Sequence, residues 1–220
     1  QTPQRDAVVR RIRRAVVEGG LQPGEKLREV ALAAELGVSR PTLREALNGL
    51  VQSGLLTHQP YAGYAVAMLD AETMRDLATT RVSLDLIAVR AIHADPSGDR
   101  LERFLEVWAE VSHRILDEDP LVRHDAHVAF HHGLWVASEN RMLVRLWPVT
   151  EALMIISLAQ EQATRPDPLR AYRLHKRLVD SIVTGDLADI EPLLAAHILD
   201  PAEDLIAGAR GSATTSGARL

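Results

Sequence analysis

GVSRPTLREAL, residues 37–47, is the stretch on which the fold of this chain turns. The preceding ALAAEL (31–36) has helical apolar spacing. Gly37 can take the left-handed geometry that ends a helix, and Ser39 offers a side-chain oxygen to cap the next one. One helix stops and another starts within three residues. Leu43, Ala46, Leu47 and Leu50 then recur at three- and four-residue spacing, which makes one buried stripe and leaves Arg40, Thr42 and Arg44 elsewhere on the helix surface. Ser39, Arg40, Thr42 and Arg44 gather at the helix N-terminus. That is the end a recognition helix presents to base edges, and its backbone N–H groups and dipole also favour phosphate. Taken alone, the stretch also fits an amphipathic hairpin whose arginines are merely solvated.

The neighbouring sequence favours DNA. Upstream lies LQPGEKLREVALAAELGV (21–38), and downstream LVQSGLLTHQPYAGYAV (50–66), where Gly54 ends the helix and two β-like runs flank a turn holding Pro60 and Gly63. That pattern predicts a winged helix-turn-helix over residues 1–69. The succession of PG, L-x-E, LAAELGVSRPTLREAL, L-x-x-x-GLL and then a glycine and a valine resembles the winged-helix domain of the GntR family of bacterial transcription regulators, across nearly all of residues 5–67. The resemblance implies a double-stranded DNA operator in the form of a short palindrome, and a homodimer to read it. Arg40 and Arg44 would read guanines in the major groove, and Ser39 and Thr42 would meet phosphates or base edges. Arg28 joins this DNA-contacting set, and Gly63 would let the wing approach the backbone.

Charge is split along the chain. The whole carries −5, but residues 1–69 hold nine Arg and Lys against six acids, a net +3, so the remainder carries −8. A basic head on an acidic body suits docking of one face on phosphate. Aromatic residues make up only 4%, which argues against a base-stacking single-strand platform. The absence of cysteine excludes disulfides and thiolate metal sites. No secretory signal or 18-residue apolar run is present, so the expectation is a cytoplasmic protein with no membrane partner.

The first helix is expected over 5–18, with Arg10, Arg11, Arg13 and Arg14 on its polar face, and 21–27 is expected as a loop. From Ala71 onward every stretch has helical period. Helices are predicted near 71–93, 98–116, 119–138, 140–162, 167–184 and 187–209, divided by the breakers DPSG, DEDP, SEN, TRPDP and GD. The fold class is therefore mainly α, a winged helix-turn-helix followed by an all-α antiparallel bundle over residues 70–209, with 210–220 as a disordered tail.

His127 and His131 lie one turn apart on the third of these helices, so two imidazoles can meet one metal ion. His175 and His197 sit within apolar patterns on the last two helices. FHHGLWVASEN (130–140), LHKRLVDSIVTGD (174–186) and LLAAHI (193–198) resemble the all-helical, FCD-type ligand-binding domain of FadR-like GntR regulators. Many such domains hold a metal through one Asp and three His. Carried over, three ligands fall on His131, His175 and His197, while His127 stands where the family usually has Asp, and Asp125 is the nearest carboxylate. A four-histidine site suits a divalent transition metal, zinc first and nickel next. Asp125 is the alternative ligand, or a partner orienting an imidazole.

Arg81 in TTRVSLDLIAVRAI (79–92) matches the family's R-x-x-L-E pattern with Asp85 in place of Glu. It is read either as an i,i+4 ion pair with Asp85 or as a fork for an effector carboxylate. Arg145 is a weaker candidate of the same kind, and Trp108, Trp135 and Trp147 are read as core.

The functional expectation is a DNA-binding transcription regulator, a repressor by preference, whose operator binding responds to a small organic acid at the metal site. Two alternatives remain: a metal-dependent hydrolase with a DNA-docking module, and a metal-free dimeric regulator with hydrogen-bonded histidines. The sequence shows no HExxH motif, and no carboxylate is clearly placed as a general base, so no enzymatic activity is expected.

Overall fold

The computed structural model describes residues 3–164, 167–185 and 187–216, without the side chains at 152, 159–164 and 208–216. The first unit comprises α1 (Pro3–Val17), β1 (Lys26–Leu27), α2 (Glu29–Leu36), α3 (Arg40–Gln52), β2 (Leu56–Gln59) and β3 (Gly63–Val66). Gly37 takes φ 66° and receives the end of α2, and Ser39 caps α3 by accepting from the Thr42 N–H. Leu43, Ala46, Leu47 and Leu50 are buried as their spacing requires, and Val8, Ile12 and Val16 of α1 join them in the core.

β2 and β3 form an antiparallel hairpin with His58 opposite Tyr64, and β1 adds to the far side of β3. The 21–27 segment is thus not all loop. Two residues are too few to show alternation, and the strand exists because β3 offers an edge to pair with. Tyr64 Oη donates to Asn48 Oδ1 at 2.8 Å, which ties the hairpin to α3.

The second unit is helical throughout the described residues: α4 (Ala71–His93), α5 (Asp99–Val111), α6 (Pro120–Ala137), α7 (Arg141–Thr164), α8 (Pro168–Thr184) and α9 (Leu187–Ser216). The expected helix over 98–116 is shorter, because the chain leaves α5 at Ser112 and closes a 3-10 turn at Arg114–Leu116. Asp70, Asp119 and Asp167 cap α4, α6 and α8 by accepting from the N–H of Thr73, Leu121 and Arg170. α9 continues through Ser216, and residues 217–220 of the expected tail lie outside the described residues, as do parts of the TRPDP and GD breakers.

α4 packs along α9, while α6 is flanked by α5 and α7. Gly133 makes the α5–α6 approach possible, since a Cβ there would stand 2.3 Å from Val107 Cγ1. α1 also touches α6 and α7. Two of its five arginines explain that contact: Arg13 Nη2 donates to Asp125 Oδ1 at 2.8 Å, and Arg14 Nη2 to Asp119 Oδ2 at 2.5 Å. The arginine run is therefore partly an anchor between basic head and acidic body.

Candidate metal centre and DNA-reading face

α6 presents His127 and His131 on one face, α8 brings His175, and α9 brings His197. One ligating atom from each lies within 4.8 Å of all the others. His131, His175 and His197 are buried. The facing atoms are informative: His131 Nε2 and His197 Nε2 stand 3.2 Å apart. Two imidazole nitrogens bound to one ion at Zn–N distances of 2.0–2.1 Å are separated by about 3 Å.

Two of the rings are also held from behind. His131 Nδ1 donates to Asp85 Oδ2 at 2.9 Å, and His175 Nδ1 donates to the Ala171 carbonyl at 2.6 Å. Those bonds fix the hydrogen on Nδ1 and leave the Nε2 lone pair turned into the cluster. His175 Nε2 and His197 Nδ1 are buried with no hydrogen-bond partner. An orphan such as His175 Nε2 is costly in a purely hydrogen-bonded core and is what a metal would satisfy, so the donor set fits a divalent transition ion.

Burial, reinforced by the neighbouring imidazoles and Arg81, holds His127 and His197 well below the ordinary histidine value. Burial and Arg81 do the same for His131, and burial lowers His175 to about 4. All four rings are neutral near neutral pH, the state in which imidazole ligates. Burial raises Asp85 to about 6, against the lowering effects of Arg81 and the Trp135 hydrogen bond.

Sequence reasoning singled out the four histidines and Arg81, and the fold brings all five to one cavity region, with Arg81, His127, His175 and His197 on its wall. The cavity measures about 330 Å³. Asp125 is turned away: it pairs with Arg13 and stands 3.4 Å from His124 Nδ1. Two residues before His127 is about 200° around a helix, so its position on the far face follows from helical geometry. The carboxylate that orients an imidazole is Asp85, which sequence reasoning had cast only as the partner of Arg81. Both Asp85 and Arg81 are buried, and the Arg81 charge acts on the Asp85 carboxyl. Trp135 and Trp147 are core as expected, and Trp135 Nε1 also donates to Asp85 Oδ1. Arg145 is exposed on α7, outside the cavity wall, and its expected effector role finds no geometric support. Two lining arginines were missed, Arg123 and Arg170. The spacing of Arg123, four residues before His127, was the available signal.

On the other unit, Arg28, Ser39, Arg40 and Arg44 are exposed and Thr42 is half-buried. Ser39 Oγ and Thr42 Oγ1 lie 2.8 Å apart, so the cap ties up part of their hydrogen-bonding capacity. Arg44 Nε donates to Glu29 Oε2 at 2.6 Å, which holds the guanidinium over the start of α2. Gly63 has φ +82°, a backbone that L side chains rarely adopt. Tyr61, fully exposed with φ 66° at the hairpin turn, is a presented aromatic that the sequence reading passed over.

Comparison with known proteins completes the picture. Residues 4–66 match the family of bacterial regulatory proteins named gntR, and residues 76–200 match the FCD domain. The chain is a gntR-family regulator with an FCD domain. This regulator is 29% identical over 192 residues to the "Probable D-xylose utilization operon transcriptional repressor" of Paenarthrobacter nicotinovorans, covering 84% of this chain and 78% of that one. It is 26% identical over 215 residues to the HTH-type transcriptional regulator LutR of Bacillus subtilis (strain 168), covering 88% and 96%. A solved GntR structure from Rhodococcus sp. RHA1 shares its fold with a TM-score of 0.69 at 22% identity, over 94% of this chain and 99% of that one. The regulator thus binds DNA and controls transcription, and its matched domains and named relatives are regulators, not enzymes. No helix among the described residues is long and apolar enough to cross a membrane.

Proposed function

We propose that this regulator is a cytoplasmic homodimeric repressor whose grip on a short palindromic operator is modulated by a small carboxylate bound beside a divalent metal, zinc first and nickel next. The division into a DNA-binding head at 1–69 and an effector and dimerisation body at 70–209 is part of this reading.

The observation that carries it is the buried four-histidine cluster opening on a cavity that also holds Arg81. His127, His131, His175 and His197 would hold the ion, which supplies Lewis acidity and positive charge for an anionic ligand. Asp85 keeps His131 oriented. Arg81 contributes a guanidinium at the same wall for a carboxylate of the effector. In the head, Arg40 and Arg44 would read base edges, Ser39, Thr42 and Arg28 would meet phosphates or base edges, and the hairpin turn at Gly63 would follow the backbone.

The metal-free alternative has one supporting observation, the Nε2 to Nε2 contact between His131 and His197, which one of the two rings could donate. The orphaned His175 Nε2 weighs against it. The test is metal content per chain by mass spectrometry on untagged protein, beside the His131→Ala/His175→Ala double variant. About one ion per chain, lost in the variant, together with carboxylate-dependent change in operator binding, supports the reading. No ion in either protein rejects the metal site and leaves only the DNA-binding role.

A further inference from the structure

The cavity wall is more basic than a single carboxylate effector needs. Three arginines line it, Arg81, Arg123 and Arg170, against one carboxylate, Asp167. Asp167 Oδ1 is occupied in capping α8, where it accepts from the Arg170 N–H at 2.9 Å. The wall is therefore net positive before any metal is counted, and neutral imidazoles would add the full charge of a divalent ion to it.

The arginines are ordered along the helices. On α6, Arg123 precedes His127 by four residues, so it lies on the same face one turn nearer the N-terminus. On α8, Arg170 precedes His175 by five residues in the same direction. The two arginines thus stand ~6 and ~7.5 Å along their helix axes from a histidine of the cluster, between one and one and a half turns. Arg123 Nη1 donates to the carbonyls of Asp117 and Glu118 at 2.7 and 2.9 Å, which positions the group without bringing it a counter-charge. Arg170 stands 3.4 and 3.5 Å from Asp204 Oδ2, longer than the 2.7–2.9 Å of a strong charge-assisted bond. The lining also includes the apolar Leu77, Ile115, Leu174 and Ile198.

We infer that the cavity takes a ligand with two anionic groups one to one and a half helical turns apart on an apolar carbon skeleton, the inner group at the histidine cluster with Arg81 and the outer group clamped by Arg123 and Arg170. The inner half rests on the metal-site reading, whereas the outer clamp rests on the arginines alone. A monocarboxylate of the same length satisfies one end and leaves the other basic end to water.

The test is calorimetric titration of the full-length, zinc-loaded protein with chain-length-matched acids: succinate against butyrate, and adipate against hexanoate. At least one dicarboxylate binds about tenfold or more tightly than its partner, the gain expected for one added charged hydrogen-bonding group. Arg170→Gln and Arg123→Gln each reduce that preference, while monocarboxylate binding and zinc content stay as they were. Arg170→Gln serves as the second variant because the Arg123 carbonyl contacts support the loop before α6. Equal binding within both pairs, or a preference that survives both substitutions, overturns the two-anion inference and leaves the metal-site reading intact. A dicarboxylate preference that persists in the His131→Ala/His175→Ala variant overturns the metal-site reading and leaves the outer clamp. Binding of no acid to protein carrying one zinc per chain overturns the two-anion inference and the carboxylate effector, and leaves the metal site.

Discussion

Asp85 Oδ2 accepts from His131 Nδ1 at 2.9 Å, joining two helices across 46 positions of sequence. The bond determines which nitrogen His131 turns to the cluster, and Trp135 Nε1 holds the other carboxylate oxygen in place. Asp85→Asn keeps the shape but gives Trp135 and His131 only one acceptor oxygen between them. Metal affinity is expected to fall by ~10–100-fold, as it does when a carboxylate behind a ligating histidine is lost. Competition against a chromophoric chelator measures it, and an unchanged affinity removes Asp85 from the metal site's support.

Acid should destabilise the metal-free protein. The unfolded chain protonates its imidazoles near 6.5, while in the fold burial holds His175 at about 4 and His127, His131 and His197 well below the ordinary value. Between those limits the unfolded state binds more protons, so stability is lost as pH falls from 6.5. His175 alone accounts for about 3 kcal/mol. Asp85 has the opposite sign: raised to about 6, it favours the fold below 3.8 and withdraws that support as pH rises through 6. Four imidazoles outweigh one carboxylate. Thermal denaturation of chelator-treated protein should therefore show a lower melting temperature at about pH 5 than at about pH 7, and a flat profile would contradict the buried neutral cluster.

Base reading and phosphate contact separate experimentally. Arg44→Ala should cost ~1–3 kcal/mol of specific operator binding and relax preference at one base pair, whereas Arg28→Ala should weaken all sequences alike and reduce the salt slope by about one. Fluorescence anisotropy across a salt series, with operator and point-mutated operator, distinguishes the two. Identical selectivity in wild type and Arg44→Ala would dismiss the guanine-reading role.

Gly133→Ala puts a methyl group 2.3 Å from Val107 Cγ1 on the neighbouring helix. Overpacking of this kind costs about 1–3 kcal/mol. The melting temperature should drop by several degrees, roughly 3–10 °C, and Val107→Ala in the same chain should recover much of it. No recovery in the double variant would place the strain elsewhere.

Periodic features were the legible ones. Gly37 and Ser39 announce the helix junction by their chemistry, and the 3.6-residue period carried α4 and α6 nearly to the residue. His175 and His197 were readable as inward-facing because their neighbours are apolar. Asp85 was not readable as the partner of His131, because the packing of α4 on α6 leaves no trace in local spacing. Asp125 attracted attention through closeness in sequence, although a two-residue offset on a helix separates faces. β1 escaped because its reason to exist is an edge formed 37 residues later, where Lys26 meets Ala65 and Leu27 meets Tyr64. Arg145 was indistinguishable from Arg123 or Arg170 as a letter, and only the cavity sorts them.

Arg13 and Arg14 of the head end on Asp125 and Asp119, the first on and the second capping the same helix that carries His127 and His131. On the proposed reading, a ligand that draws on the histidines moves a rod whose outer side is fastened to the head. Thermodynamic linkage makes that lever two-way: whatever factor the ligand imposes on operator affinity, the operator imposes on ligand affinity. A dimer seated on DNA then answers to a different concentration of the same small acid than a dimer free in solution. The promoter itself becomes part of the sensor's calibration.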